Sequence, residues 1–198
     1  MRKDFLSHLH PHIEYHHMFN FKKKFRIKYL LIPVVFLFSI MSLSANELSD
    51  NAEYNTLLPY FYAAARTGDD EVVNEFLNAG LPIDVKNNKG YTALMIATYN
   101  GKTSIVNTLI KRGANVCAKD HRGNTALMAA IFRAEFKIAN TLMKSDCDTN
   151  QQNNAGQTAV MYATLFGRYE LKNLLIARGA DVELQDKSGN SAKTIQAY

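Results

Sequence analysis

Four glycines stand 33 residues apart: Gly90, Gly123, Gly156 and Gly189. A phrase returns with them, Gly90-Tyr91-Thr92-Ala93-Leu94-Met95, then Gly123-Asn124-Thr125-Ala126-Leu127-Met128, then Gly156-Gln157-Thr158-Ala159-Val160-Met161, and in shortened form Gly189-Asn190-Ser191-Ala192. Self-similarity at a fixed period of this length is the mark of stacked supersecondary units. Each unit is too small to bury a core alone, so neighbours must share one. Such a chain presents a long face built from equivalent positions, and binding another macromolecule is its default activity.

The period divides the chain. Units fall at 57–89, 90–122, 123–155 and 156–188, with a partial one at 189–198 and a polar stretch at 46–56 that reads as a linker. Each full unit carries two short helical patterns. Thr92, Thr125 and Thr158 stand where a hydroxyl can accept the free N–H groups of a first helix. In the second helix the apolar positions are Ile105, Leu109 and Ile110, then Ile138, Leu142 and Met143, then Leu171, Leu175 and Ile176, with Val72, Phe76 and Leu77 matching in the first unit. Gly80, Gly113 and Gly179 end these helices. The following stretch, such as Asn115 to Gly123, fits an extended finger with a tight turn.

These phrases resemble the ankyrin-repeat family over residues 57–198. Gly-Tyr-Thr-Ala-Leu-Met at 90–95 is similar to its Gly-x-Thr-Pro-Leu-His, and Gly179-Ala180-Asp181-Val182 to its Gly-Ala-Asp-Val step. The resemblance implies an all-α repeat solenoid of about four units plus a C-terminal half unit. This chain departs consistently: Ala93, Ala126 and Ala159 replace proline, and Met95, Met128 and Met161 replace a histidine that ties neighbouring turns. Packing by methionine is expected in its place. The ends read as caps, with Tyr60-Phe61-Tyr62 in place of the first phrase and a single final helix over Ser191–Tyr198. The third unit is irregular. Ala134 replaces the turn glycine, and Ser145-Asp146-Cys147 replaces Arg-Gly-Ala.

The resemblance also implies where a partner binds: finger tips and exposed first-helix positions on the concave side. Here the first-helix positions form two ladders, Arg66, Tyr99, Phe132, Leu165 and Thr67, Asn100, Arg133, Phe166. The fingers add Tyr91, His121, Arg122, Asn124, Asn154 and Gln157. Aromatic and aliphatic groups at such positions read as a binding stripe, because they are the residue types that supply interface hot spots. The alternative is that they pack sideways into neighbouring units.

Charge assigns the rest. The net charge is +5, and residues 1–45 account for all of it, with seven Lys or Arg against Asp4 and Glu14; residues 46–198 are neutral. On that balance a nucleic-acid partner is not expected for the repeats. Five histidines precede Met18, which reads as the true start. From there Lys22-Lys23-Lys24, the apolar run Tyr29–Leu43 and Ser42-Leu43-Ser44-Ala45 have the order of a signal peptide ending near Ser44 or Ala45. An uncleaved anchor is the alternative, with Pro33 interrupting its span. Either way the repeats are exported, and the lysine-rich leader places them in a bacterial periplasm. In an oxidising compartment Cys117 and Cys147 can bridge. In repeat register, however, Cys147 aligns with Ala114 and Ala180, so it reads first as a small buried hydrophobe; a bridge requires the Cα atoms to approach within ~7 Å.

No catalytic constellation emerges. The repeats hold one histidine, His121, on a finger, and Asp69-Asp70-Glu71 stand at a helix start where negative charge suits the dipole. No cofactor or metal is expected. The reading is a non-catalytic module, expected as a monomer, that binds a periplasmic protein. Small exported bacterial ankyrin proteins, which this chain resembles, suggest two narrower roles: immunity against a toxin acting in the periplasm, or support of an oxidative-stress enzyme. A hydrolase using His121 is the rival of a different class.

Overall fold

The computed structural model describes residues 52–196; the leader and its cleavage region lie outside them. Eight α-helices follow in pairs: α1 (Ala52–Thr67) with α2 (Asp70–Asn78), α3 (Ala93–Tyr99) with α4 (Thr103–Lys111), α5 (Ala126–Arg133) with α6 (Phe136–Leu142), and α7 (Ala159–Leu165) with α8 (Tyr169–Ala177). The first helices pack in one row, α1 on α3, α3 on α5 and α5 on α7, and each also packs on its own second helix. This is the expected all-α repeat solenoid. Among the described residues no helix is long and apolar enough to cross a membrane.

The helices start where the hydroxyls are. Thr92, Thr125 and Thr158 Oγ1 accept from the backbone N–H of Met95, Met128 and Met161 at 3.3, 3.3 and 3.4 Å. Small residues set the spacing of the row: Ala97, Ala130 and Ala163 are fully buried, so adjacent helices approach closely. Ile105, Leu109, Ile138, Leu142, Leu171 and Leu175 fill the layer between the two rows. Burying each such side chain contributes about 1.5–3 kcal/mol. Met95, Met128 and Met161 are buried as expected, and the Met161 sulfur also accepts the Thr158 N–H at 3.4 Å.

The fingers carry a second periodic device that the phrase alone did not disclose. Asn87, Asp120, Asn153 and Asp186 recur every 33 residues. Each side-chain oxygen accepts the backbone N–H groups two and four residues on, as Asp120 does from Arg122 and Asn124 at 2.8 Å each, and Asn153 from Ala155 and Gln157. These carboxylate or amide turns hold each finger tip closed. Successive fingers then bond to one another: His121 N–H to Lys89 O, Asn154 N–H to Arg122 O, and Lys187 N–H to Ala155 O. Glycine is required where that contact falls. Gly123 has φ +78°, and a Cβ there would stand 2.7 Å from the Asn154 nitrogen.

The ends and the third unit differ from expectation. Helix α1 begins at Ala52, inside the stretch expected to be a linker, and carries Pro59 within it. Residues Ala192–Thr194 form a turn rather than a helix, with the Thr194 and Ile195 N–H groups both donating to Ser191 O at 3.1 and 2.9 Å. A single turn fixes several dihedrals for one hydrogen bond, so a lone turn is a weak start for a helix. In the third unit Ala134 holds the left-handed turn at φ 60°, ψ 33°, unlike Gly68, Gly101 and Gly167 at the same position.

The cysteines are bridged. Cys117 and Cys147 form a disulfide with a Cα–Cα distance of 5.4 Å. Cys147 is therefore not the buried small hydrophobe its alignment suggested; it is half-buried, whereas Ala114 and Ala180 are buried. The cause is the missing glycine. After α4 the Ala114 N–H returns to Leu109 O, but the equivalent Leu142 carbonyl is taken by the Ser145 N–H and by Ser145 Oγ at 2.6 Å. Cys147 is left free to reach the second unit.

Candidate protein-binding face

The stripe is neither fully exposed nor entombed. Tyr99, Phe132, Leu165 and Phe166 are all half-buried. They occupy the ends of α3, α5 and α7, where the last turn leaves the row and its side chains project beyond the buried alanines. The rings form one chain across three units. Tyr99 and Phe132 lie nearly parallel with centroids 6.3 Å apart. Phe132 meets Phe166 edge to face at 5.0 Å, and Phe166 meets Tyr162 at 5.8 Å. Arg133 places its guanidinium 4.9 Å from the Tyr99 centroid, a cation–π contact. The chain thus crosses from the first ladder (Phe132) to the second (Phe166), a step that repeat alignment by itself does not indicate. Phe132 and Phe166 each touch a ring on two sides, and Tyr99, Phe132 and Phe166 all keep part of their surface exposed.

The remaining ladder residues flank this chain. Arg66 is exposed at the end of α1, and Asn100 is half-buried with its side-chain amide donating to Ile96 O at 2.7 Å. At the fingers His121, Arg122 and Asn154 are exposed. The Asn154 side chain donates to His121 O at 2.9 Å, so it braces one tip against the next. Tyr91 is half-buried between finger and stripe. Burial, and after it the nearby Asp120 charge, raise its pKa, while Arg122 acts in the opposite direction.

Asn124 and Gln157 are not part of this surface, against expectation. Both are buried and belong to a closed polar network between the third and fourth units. Asn124 Oδ1 accepts from Asn153 Nδ2 at 2.9 Å and from the Tyr162 hydroxyl at 3.2 Å. Asn153 Nδ2 also lies 3.1 Å from Gln157 Oε1. Buried polar groups are tolerated when they satisfy one another in this way. The Tyr162 hydroxyl sits deep in this network, and burial pushes its pKa up to about 12, with Asp120 adding to the shift. Sequence reasoning placed Asn124 and Gln157 outside because it treated the residue after the finger glycine as exposed. The signal that could have corrected it is Asn153, whose 33-residue register with Asp120 and Asp186 marks an inward-turned polar group.

Among the described residues no group of three or more His, Cys, Asp or Glu is placed to hold a metal ion. The face offers apolar rings, guanidinium groups and backbone-tied amides, a chemistry of recognition.

The family model for ankyrin repeats (3 copies) matches residues 60–153 and 118–186, more than half of the chain. The chain therefore belongs to the ankyrin-repeat family, whose stacked units generally mediate protein–protein binding. No curated protein matches the sequence.

Proposed function

We propose that this protein is an exported ankyrin-repeat module that binds another protein in the periplasm through the ring chain on its concave face and the adjoining finger tips. The ring chain is the observation that carries the reading. Tyr99, Phe132 and Phe166 are held in contact across three units while half-buried. Large rigid side chains of this kind anchor interfaces at low entropic cost. The leader motif supports export, and the Cys117–Cys147 bridge supports an oxidising compartment. A role in toxin immunity or in support of an oxidative-stress enzyme remains a narrower form of the same activity.

The test is capture from periplasmic extract with the mature protein and with Tyr99→Ser, Phe132→Ser. The double variant is expected to keep its helical circular dichroism and to lose the captured partner. Capture that survives both substitutions, or variants that unfold outright, would reject the stripe as the binding surface.

A further inference from the structure

The neutrality of residues 46–198 hides a segregation of charge. The two ladders and the four finger tips carry Arg66, Lys89, Arg122, Arg133 and Lys187, all exposed. No carboxylate occupies any of these positions. Four acids border them: Glu135 lies against Gly101 beside Asn100, Asp69 caps α2 through the Val72 N–H, and Asp120 and Asp186 turn into their own finger turns. Asp120 Oδ1 is occupied by the N–H groups of Arg122 and Asn124, and Asp186 Oδ1 by those of Ser188 and Asn190. Most other acids lie on the second helices, as Asp70 and Glu170 do, or in the turns after them, as Asp148 and Asp181 do. A balance taken over the whole domain therefore misses a predominantly basic face, with five exposed cations against Glu135 and Asp69 at its border.

Basic groups border the rings: Arg133 stands over Tyr99, and Arg122 heads the finger whose Asn124 accepts the Tyr162 hydroxyl. Arg122 lies within electrostatic reach of both Tyr91 and Tyr162, and Tyr91 in turn of Tyr99. Tyr162 touches Phe166, which closes the path back to Phe132 and to Arg133 above Tyr99. We infer that the segment seated on this face is an acidic, apolar stretch of protein: aliphatic or aromatic groups lie against the Tyr99–Phe132–Phe166 chain, and carboxylates lie opposite Arg66, Arg122 and Arg133. A nucleic-acid strand fits less well. Tyr99 already has Phe132 parallel to it and Arg133 over its ring, so it is no open platform for a base. This inference rests on the binding reading above and adds the chemistry of the partner.

Fluorescein-labelled peptides of about fifteen residues test it, long enough to cross several units in extended form. Three sets share their Leu and Phe content and differ at the remaining positions, which are Asp and Glu, Ser and Gln, or Lys. A single-stranded oligonucleotide forms a fourth arm. Binding to the purified protein is read by anisotropy at low salt. The acidic set is expected to bind about tenfold tighter than the neutral set, as two or three favourable rim pairs imply. That advantage shrinks at ~0.5 M salt, where screening shortens the reach of charge to a few Å. Arg122→Glu with Arg133→Glu is expected to invert the order with circular dichroism unchanged. Equal binding of all three peptide sets, abolished by Tyr99→Ser with Phe132→Ser, would overturn the charge inference and leave the binding reading intact. Oligonucleotide binding in preference to every peptide would overturn the choice of partner, and binding of nothing would overturn both readings.

Discussion

The second and third units are built on one plan and close differently. In the second, Gly101 makes the turn between α3 and α4, and Gly113 ends α4 so that Ala114 N–H bonds Leu109 O at 3.0 Å. In the third, Ala134 takes the left-handed turn, and Asp146 stands where the terminal glycine should be. The boundary between units also changes. Asp84 reaches the Asn115 N–H at 2.9 Å, and Asn150 reaches the Asp181 N–H at 2.8 Å, each tying the end of one unit to the end of the next. Cys117 holds that position at the boundary between the second and third units, and the bond it makes is covalent, to Cys147. The plan thus specifies places where neighbouring units must be joined. A residue that loses one kind of join can be kept in place by another.

The strongest way to break the stack is to block that joining at the fingers. Gly123→Ala puts a Cβ against the backbone of Asn154 and strains a positive φ. A loss of about 3 kcal/mol or more is expected from urea unfolding. Gly189→Ala has an equally positive φ but meets nothing within 4 Å, so about 1 kcal/mol is expected. Similar losses at the two sites would deny that finger contact matters.

Reduction of the bridge should cost nearly as much, about 3 kcal/mol for a closed loop of this length. The midpoint of unfolding is expected to fall on adding reductant in the parent and to stay constant in Cys117→Ser with Cys147→Ser. Cys117→Asn with Cys147→Ala supplies the tie that Asn150 makes, and about 1 kcal/mol of the loss should return.

The polar network between the third and fourth units sets an alkaline limit. Tyr162 is neutral in the fold with its pKa raised to about 12, above the ordinary value near 10 of an unfolded chain. Its contribution is whole below pH 10 and declines as pH rises from 10 towards 12, because the unfolded chain releases the proton first. A decline of roughly 2.7 kcal/mol at most is expected across that window. Tyr162→Phe should flatten that part of the stability curve while costing about 1 kcal/mol at neutral pH through Asn124 and Asn153.

The smallest effect is a gain. Ala134→Gly relieves the φ of 60° that an alanine side chain disfavours. A stabilisation of about 0.5–1 kcal/mol is expected. A loss instead would mean that the entropy of the unfolded chain outweighs the local relief.

The 33-residue phrase was enough to read the solenoid, its Thr-capped first helices and most of the buried Leu, Ile and Ala positions, because each of these is set by contacts within one unit or with an identical neighbour; Ile176, in the same pattern, lies exposed. It also placed Tyr99, Phe132 and Phe166 at the end of the first-helix row. It could not say that the three rings would touch, since Phe166 belongs to the other ladder and the contact depends on the offset between units. It set Asn124 and Gln157 outside, although the stack turns them inward onto Asn153 and Tyr162. It allowed a Cys117–Cys147 bridge but read Cys147 first as a small buried hydrophobe, because alignment compares positions and a bridge depends on distance. Repetition along the chain determines what every unit shares. Only the stacked structure decides which departures from that repeat meet, because they meet across boundaries whose geometry is the sum of all the packing on either side.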